Sequence, residues 1–340
     1  MDDAEGSLRR PTIVLSMMAG LRDHAFTAAQ LQRLRAVGDL LDEEPLDDLS
    51  GERAADLLGR AEVLVGHWGC PTLTAGVMER APHLRLFAYA AGTVKWQVTD
   101  AVWDAGVRVT SAAAANAVPV AEYTVAAILL ANKGVFSFAA RERDPDALVP
   151  LDPTRVGNVG KRVGLVGASH VGRLVIELLR PFDLEIAVAD PFLDAREAGR
   201  LGVTRMELDE LCAWCDLLSL HAPDIETTKG MIGAAQLAAL ADGVTVVNTA
   251  RGALVDPAAL EAELASGRLA AVLDVTDPEP LPADSPLRGL PNVVLTPHVA
   301  GAVGSELTRL ADLAVEEVER FARGQSARYP VVQADLDRIA

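Results

Sequence analysis

Two hydrophobic patterns alternate along the first third of the chain. Short apolar runs lie at 12–16, 61–66, 84–90 and 107–110, and amphipathic stretches such as 26–37 and 52–60 lie between them. The short runs predict strands, and the helical spacing of the longer stretches predicts helices. Strands that alternate with helices indicate a parallel sheet and an α/β fold.

The same alternation restarts after residue 160 with more apolar runs. These are RVGLVG, EIAVAD, DLLSLH, GVTVVNT, LAAVLDV and NVVLTP. Near-continuous apolar strands are typical of a parallel sheet that helices cover on both faces. Six of them predict a doubly wound (Rossmann) sheet, the fold that binds dinucleotides.

The stretch between the two regions predicts a long connecting helix over 117–134, opened by Asn116 and Pro119 and closed by Gly134. A length of 340 residues favours two domains over one. We expect a smaller, flavodoxin-like α/β substrate domain from 1–115 and 305–340, because the amphipathic stretch 304–324 is expected to return to it. The nucleotide domain is then 116–304, entered through the connecting helix.

Charge narrows the range of partners. The formal net charge is −17, and so negative a surface repels phosphate backbones and anionic lipids. We therefore expect neither nucleic acid nor membrane as a partner. The apolar run YTVAAILLA stops at Asn132, which makes it too short to span a bilayer.

The three cysteines predict no disulfide framework, which fits a reducing cytoplasm. Cys212 and Cys215 form a C-x-x-C pair late in an amphipathic stretch. We expect them to pack against a sheet as small apolar residues. The sequence shows no two further ligands nearby, so no metal site is expected.

The segment GLVGASHVG, 164–172, resembles a dinucleotide-binding turn, G-x-G-x-x-G, with one change. Gly167 and Gly172 hold the first and third glycine positions, Ser169 holds the second, and His170 and Val171 complete the turn. A serine Cβ is small, and its hydroxyl can donate to a phosphate oxygen. The segment also lies between a predicted strand and a predicted helix, as the motif requires.

An acidic residue follows at the expected place. Asp190 ends the next predicted strand. A carboxylate there can accept both hydroxyls of a ribose and repels a 2′-phosphate, which predicts NAD rather than NADP. The alternative is a glycine-rich strand–helix corner followed by an aspartate that occurs there by chance.

Four later segments occur in a specific order: HAPDIETTKGMI (221–232), VVNTARGALVD (246–256), LDVTDPEPL (273–281) and LTPHVAG (295–301). In this order and spacing they resemble the D-isomer-specific 2-hydroxyacid dehydrogenases. The resemblance covers essentially the whole nucleotide domain and, more weakly, the rest. It implies a homodimeric, NAD-dependent oxidoreductase that interconverts a small D-2-hydroxy acid and its 2-oxo acid.

The resemblance places the family's three catalytic positions on Arg251, Glu279 and His298. Their chemistry suits the reaction. An imidazole titrates near neutral pH and can act as the acid–base group. Glu279 can hold one imidazole nitrogen and stabilise the imidazolium. The planar fork of Arg251 fits a substrate carboxylate and carbonyl oxygen.

Further contacts are implied by the same resemblance. The cofactor side comprises His221, Ala222 and Pro223 near the adenosine, Thr249 and Ala250 beside the catalytic arginine, and Asp274 at the nicotinamide carboxamide. In the first domain, the amides of Ala91, Gly92 and Thr93 follow a predicted strand and precede a predicted helix, where they can bind a carboxylate. His67 and Trp68 end another strand and are expected to face the cleft, although Trp68 could equally be a buried structural residue.

Two other functions share this fold. A formate dehydrogenase-like enzyme is one, but that relative carries glutamine at the position of Glu279. A corepressor-type module that senses NAD without catalysis is the other. The three catalytic positions, all retained here, favour an enzyme.

Overall fold

The computed structural model describes residues 9–336, and the chain divides into two compact units. Unit 1 comprises Met1–Asn116 and Ala302–Ala340, and unit 2 comprises Ala117–Gly301. The sequence-based bounds are 1–115 with 305–340, and 116–304. Their outermost parts, 1–8 and 337–340, lie outside the described residues.

The secondary structure alternates through both units. The strands are β1 Thr12–Ser16, β2 Asp39–Leu40, β3 Val63–Gly66, β4 Leu86–Tyr89, β5 Arg108–Ser111, β6 Lys161–Val166, β7 Leu184–Ala189, β8 Thr204–Arg205, β9 Leu217–Leu220, β10 Thr245–Asn248, β11 Ala270–Leu273, β12 Val293–Leu295 and β13 Pro330–Val331. The α-helices are α1 Arg22–Ala25, α2 Ala28–Val37, α3 Glu52–Arg60, α4 Ala75–Arg80, α5 Asp100–Asp104, α6 Ala113–Asn132, α7 Val135–Arg143, α8 His170–Leu179, α9 Ala195–Leu201, α10 Leu208–Trp214, α11 Ala234–Ala239, α12 Pro257–Ala265 and α13 Leu307–Ala322. Short 3₁₀ turns lie at Gly252–Leu254, Pro286–Gly289, Gly304–Glu306 and Gln333–Asp335.

Unit 1 is built on a sheet in the order β13-β5-β4-β3-β1-β2. Its strands are parallel except β13, which pairs antiparallel with β5. Two apolar clusters fill the unit, one that includes Leu34 of α2 and Val315 of α13, and one that includes Leu58 of α3 and Phe87 of β4. The parallel α/β architecture expected for this region is confirmed.

Unit 2 contains an all-parallel sheet in the order β12-β11-β10-β9-β6-β7-β8. The chain runs outward from β6 through β7 to β8, and then crosses back to β9 on the other side of β6. The loops after β6 and β9 therefore lead to opposite halves of the sheet, which is the switch point where such sheets bind ligands. The doubly wound fold is confirmed.

Three edge strands and some helix bounds differ from the sequence prediction. Strands β2, β8 and β13 have two residues each, too few to produce a periodic pattern, and β13 follows the last helix where no strand was expected. Helix α6 begins at Ala113 and contains Pro119 instead of starting near it. Gly134, at φ +66°, separates α6 from α7, and α7 continues to Arg143.

Helix α6 also corrects the prediction about apolar runs. It has 20 residues and is long and apolar enough, by length and composition, to cross a membrane, because the apolar stretch begins before the YTVAAILLA run. A core helix of a folded domain passes the same test. In this chain, 44% of the most apolar 18-residue stretch of α6 is buried.

The cysteines pack as expected from the sequence. Cys70, Cys212 and Cys215 are free and buried. Burial raises the pKa of Cys70 to about 12, of Cys212 to about 11 and of Cys215 to about 12. Such thiols are poor nucleophiles at neutral pH. Within residues 9–336, no three His, Cys, Asp or Glu side chains are grouped to hold a metal ion.

Candidate active site

Three neighbouring strands of unit 2 end in register. Asn248, the last residue of β10, pairs with Leu273 of β11, which pairs with Leu295 of β12. The chain therefore leaves the sheet at one edge in three adjacent loops. Arg251 follows the first of these ends, Asp274 the second and His298 the third. This is the carboxyl edge, where parallel sheets bind ligands.

His298 and Glu279 form a close pair. Nδ1 of His298 lies 2.6 Å from Oε1 of Glu279. The carboxylate accepts, so Nδ1 carries a proton and Nε2 is the ring nitrogen that can give or take one. Both side chains are partly open to solvent, at 49% and 41% exposed. The pair can therefore exchange a proton with a bound molecule.

The backbone of His298 is held in an unusual conformation. Its φ is +56°, and it is the one non-glycine residue with a positive φ among residues 9–336. This conformation is uncommon outside glycine, although histidine adopts it more readily than most residues. The amide of His298 donates to the Asp274 carbonyl oxygen at 2.9 Å. A strained residue whose side chain is hydrogen-bonded to a carboxylate is typical of a functional site.

Asp274 holds this loop through its side chain. It is 2% exposed. Its Oδ1 accepts from Thr296 Oγ1 at 2.6 Å and from the Val299 amide at 2.8 Å, and its Oδ2 accepts from the Ala300 amide at 2.8 Å. The buried carboxylate thus organises residues on both sides of His298. The expected contact between Asp274 and a nicotinamide carboxamide stays a prediction.

The loop that carries Arg251 is shaped by Asn248. The Asn248 side chain donates to the Arg251 carbonyl oxygen at 2.8 Å and accepts from the Ala250 amide at 3.1 Å. Arg251 is half-buried, and its Nη1 donates to the Ala250 carbonyl oxygen at 2.6 Å. Among the described residues, no carboxylate pairs with this guanidinium. The remaining N–H groups can therefore bind an anion.

The glycine-rich turn follows β6 and opens α8. Gly167 has φ +100°, and a Cβ there would lie 2.8 Å from the Ala222 amide nitrogen. A Cβ on Gly172 would lie 2.3 Å from the Gly167 carbonyl oxygen. Both positions therefore require glycine. The amides of His170 and Val171 lie in the first turn of α8, where a helix attracts phosphate.

Ser169 fits this turn as a helix cap. Its φ is −65°, which any residue adopts, and its Oγ accepts from the Gly172 amide at 3.3 Å. Asp190, directly after β7, accepts from the Ala168 amide at 2.7 Å and from the Phe192 amide at 2.8 Å. The aspartate thus lies beside the turn, as a ribose-binding residue must. The space at Gly167 and Gly172 that a Cβ would fill, the start of α8 and the Asp190 carboxylate together fit a dinucleotide.

The remaining cofactor candidates lie around the same edge. His221 and Ala222 follow β9, are buried and line the back of the turn at Gly167. His221 Nε2 lies 3.0 Å from Ser219 Oγ, and burial lowers the pKa of His221 to about 4. Pro223 is half-buried, and its carbonyl oxygen accepts from Thr228. Thr249 and Ala250 precede Arg251 in the loop after β10.

The unit 1 candidates differ in part from expectation. Ala91 and Gly92 form a bend, Thr93 is in irregular structure, and α5 begins only at Asp100, so their amides are not at a helix start. His67 is fully buried, which contradicts its expected exposure to a cleft. Its Nδ1 accepts from the Trp68 amide at 2.7 Å, and burial lowers the pKa of His67 to about 4. Trp68 is 38% exposed.

Sequence reasoning missed two residues that contact these loops. Tyr123 OH lies 2.8 Å from Thr296 Oγ1, and Thr124 Oγ1 lies 2.7 Å from Thr249 Oγ1. Both belong to α6, far from the loops in sequence. Two hydrogen-bonding side chains in the middle of a mostly apolar helix are a weak signal, because buried polar groups need partners.

Comparison with known proteins adds a family assignment for this region. Residues 125–300 match the sequence model of the D-isomer specific 2-hydroxyacid dehydrogenase, NAD binding domain. The chain is 33% identical to the D-3-phosphoglycerate dehydrogenase of Mycobacterium tuberculosis. The matched region covers 84% of this chain and 54% of that protein. It is also 33% identical to the glyoxylate reductase of Korarchaeum cryptofilum, over 74% of this chain and 77% of that one.

The fold is similar to solved structures over nearly its whole length. The TT0316 protein of Thermus thermophilus matches 94% of this chain and all of its own, with a TM-score of 0.74 and 30% identity. The chain spans about half the length of the D-3-phosphoglycerate dehydrogenases that it matches, 49% for the one from Archaeoglobus fulgidus.

Proposed function

Since this chain belongs to the D-isomer specific 2-hydroxyacid dehydrogenase family, we propose that it interconverts a small D-2-hydroxy acid and its 2-oxo acid with NAD. Unit 2 is the NAD-binding domain in this proposal, and unit 1 is the substrate domain. The observation that carries it is the His298–Glu279 pair, 2.6 Å apart at the carboxyl edge of a doubly wound sheet.

Several groups in unit 2 suit the cofactor. NAD supplies the hydride acceptor when bound, and NADH supplies the hydride in the reverse direction. Gly167 and Gly172 leave room for the backbone to approach a pyrophosphate, with the first turn of α8 and the Ser169 hydroxyl as donors. Asp190 takes the ribose hydroxyls and disfavours NADP. His221, Ala222 and Pro223 line the adenosine side.

His298 moves the proton. In reduction, the carbon of the 2-oxo group gains the hydride and its oxygen gains a proton from Nε2 of His298, while the carbonyl π bond breaks. Glu279 keeps the proton on Nδ1 and stabilises the imidazolium before transfer. In oxidation, His298 takes the hydroxyl proton instead. The positive φ of His298 and the bond from its amide to the Asp274 carbonyl oxygen keep the ring in place for this exchange.

Arg251 binds the acid. Its guanidinium has no carboxylate partner among the described residues, and its planar fork matches a substrate carboxylate and carbonyl oxygen. We assign further substrate contacts to Ala91, Gly92, Thr93 and the exposed Trp68 in unit 1. The substrate we propose is small and unphosphorylated, of the glyoxylate, hydroxypyruvate or pyruvate type.

We also propose that the protein is a homodimer. Leu130 of α6 and Val135 and Phe138 of α7 are 40–44% exposed, and these apolar side chains are compatible with burial against a second copy of the chain. Gel filtration with light scattering is expected to give twice the mass of one chain. The mass of a single chain would contradict this proposal.

The function is tested by NADH oxidation near pH 7 with a panel of 2-oxo acids, followed by absorbance. We expect turnover with at least one small 2-oxo acid and none with NADPH at equal concentration. NADH formation from NAD and formate would instead indicate a formate dehydrogenase-like enzyme. Tight NADH binding without turnover of any substrate would indicate the non-catalytic, NAD-sensing alternative.

A further inference from the structure

Two neighbouring residues of α6 bond to two different loops at the candidate site. Tyr123 OH lies 2.8 Å from Thr296 Oγ1, two residues before His298. Thr124 Oγ1 lies 2.7 Å from Thr249 Oγ1, two residues before Arg251. Two adjacent residues of α6 thus contact the loop of the proposed acid–base group and the loop of the proposed substrate-binding group.

The direction of the first bond follows from the partners of Thr296. Its hydroxyl donates its single proton to Asp274 Oδ1 at 2.6 Å. The proton between Tyr123 and Thr296 therefore comes from the tyrosine. The chain of donors runs from Tyr123 through Thr296 to the buried Asp274 carboxylate, which also accepts from the amides of Val299 and Ala300. Both sides of His298 are tied to this one network.

The second bond is fixed in the same way. Thr124 Oγ1 donates to the Val120 carbonyl oxygen at 2.7 Å, so its oxygen accepts from the hydroxyl of Thr249. Thr124 is fully buried and Thr249 is 6% exposed. An unsatisfied hydroxyl at either position would carry a desolvation cost, so the pair holds the loop after β10 against α6.

We propose that Tyr123 and Thr124 are positioning residues that brace the loops of His298 and Arg251 separately. The brace matters because His298 has a strained backbone, which persists only where its surroundings fix it. Burial raises the pKa of the Tyr123 hydroxyl, so it stays a donor at neutral pH. The roles that this inference gives to the two loops rest on the proposed function. The hydrogen bonds themselves do not depend on it.

The two halves of the brace predict different kinetic effects. Tyr123→Phe removes the donor to Thr296 and leaves the bond from Thr296 to Asp274 in place, whereas Thr296→Val removes both bonds. Both variants are expected to lower kcat, roughly tenfold for Thr296→Val, with KM for the 2-oxo acid little changed, because small displacements at the reacting groups cost rate. Thr124→Val is expected chiefly to raise KM, because Arg251 holds the substrate. Thr296→Ser and Thr124→Ser retain the hydroxyl groups and should recover most of each loss.

Hydrogen exchange by mass spectrometry tests the brace without any substrate. In Tyr123→Phe and Thr296→Val, the amides of Thr296 and of residues 298–301 should exchange faster than in the wild type. In Thr124→Val, the amides of residues 249–254 should exchange faster. Tyr329→Phe and Thr154→Val, which lie outside both loops, are the matched controls.

If the wild type turns over a 2-oxo acid but the variants match it in kinetics and exchange, the brace is wrong. If the wild type turns over nothing, the proposed function fails, and the exchange data alone decide the brace.

Discussion

Gly252 lies so close to Thr276 that a Cβ on Gly252 would be 2.1 Å from the carbonyl carbon of Thr276. The loop that carries Arg251 therefore packs, backbone against backbone, on the loop that leads to Glu279. Glycine at this position allows two of the proposed catalytic side chains to come from neighbouring strand ends.

Gly252→Ala is expected to push these two loops apart. A separation this short cannot be relieved by rotating a side chain, because the neighbouring atoms are backbone. We predict a loss of stability of about 1–3 kcal/mol, as for other overpacked sites, and a larger loss of kcat/KM. Gly199→Ala, in α9 with nothing within 4 Å of the added Cβ, is the control and should be neutral or stabilising. Unfolding in urea and steady-state kinetics measure both; wild-type activity in Gly252→Ala would refute the argument.

The glycine-rich turn makes a second prediction. Gly172→Ala should abolish NADH binding, because the new Cβ would lie 2.3 Å from the Gly167 carbonyl oxygen. Ser169→Gly should bind NADH within a few-fold of the wild type and lose only a few tenths of a kcal/mol, because glycine is nearly as good a helix cap as serine. NADH fluorescence titration measures both affinities. A large gain in affinity for Ser169→Gly would mean that the serine obstructs the cofactor.

Asp190 is predicted to set the preference for NAD. Asp190→Ala removes the carboxylate expected to accept the ribose hydroxyls and also its bond to the Ala168 amide. Loss of a charge-assisted hydrogen bond of about 1.5–3 kcal/mol should weaken NADH binding about tenfold or more and lower the ratio of the NADPH to the NADH dissociation constant. Asp183→Ala, exposed at the opposite end of β7, is the matched control. An unchanged ratio would remove Asp190 from the cofactor site.

Two buried histidines predict a loss of stability in acid. Burial lowers the pKa of His67 and of His221 to about 4, below the value of about 6.5 in an unfolded chain. Between these two values the unfolded state binds protons that the folded state does not. The contribution of each neutral histidine to the free energy of unfolding should therefore be complete above pH 6.5. As the pH drops toward 4, the free energy of unfolding should fall by up to about 1.4 kcal/mol per pH unit for each histidine.

The variant His67→Asn isolates one of these contributions. It retains a hydrogen-bond acceptor but cannot titrate, so its unfolding free energy should depend less steeply on pH between 6.5 and 4 than that of the wild type. Parallel curves for the wild type and His67→Asn would contradict the assignment.

The sequence predicts the central strands of both sheets because they are buried on two faces and therefore almost uniformly apolar. It does not predict β2, β8 and β13, which are two residues long and held by pairing with a neighbouring strand. It predicts α6 but not its start at Ala113, because Pro119 is more often found in a first turn than at an interior position.

The residues of the candidate site also divide into those that the sequence predicts and those that it does not. Arg251, Glu279, His298 and the glycine turn are readable as motifs, and the structure brings Glu279 and His298 together. The bonds of Tyr123 and Thr124 depend on contacts between residues more than a hundred positions apart, which no local pattern encodes. The burial of His67 is likewise a product of packing.

The most direct test of the account compares wild type and His298→Ala with the best 2-oxo acid of the panel, with NADH binding measured on the same samples. If His298 donates the proton, kcat should fall roughly a hundredfold or more while the NADH dissociation constant stays within a few-fold of the wild type. A variant that reduces the 2-oxo acid at the wild-type rate would show that the proton comes from another group. In that case the His298–Glu279 pair would not be the catalytic centre.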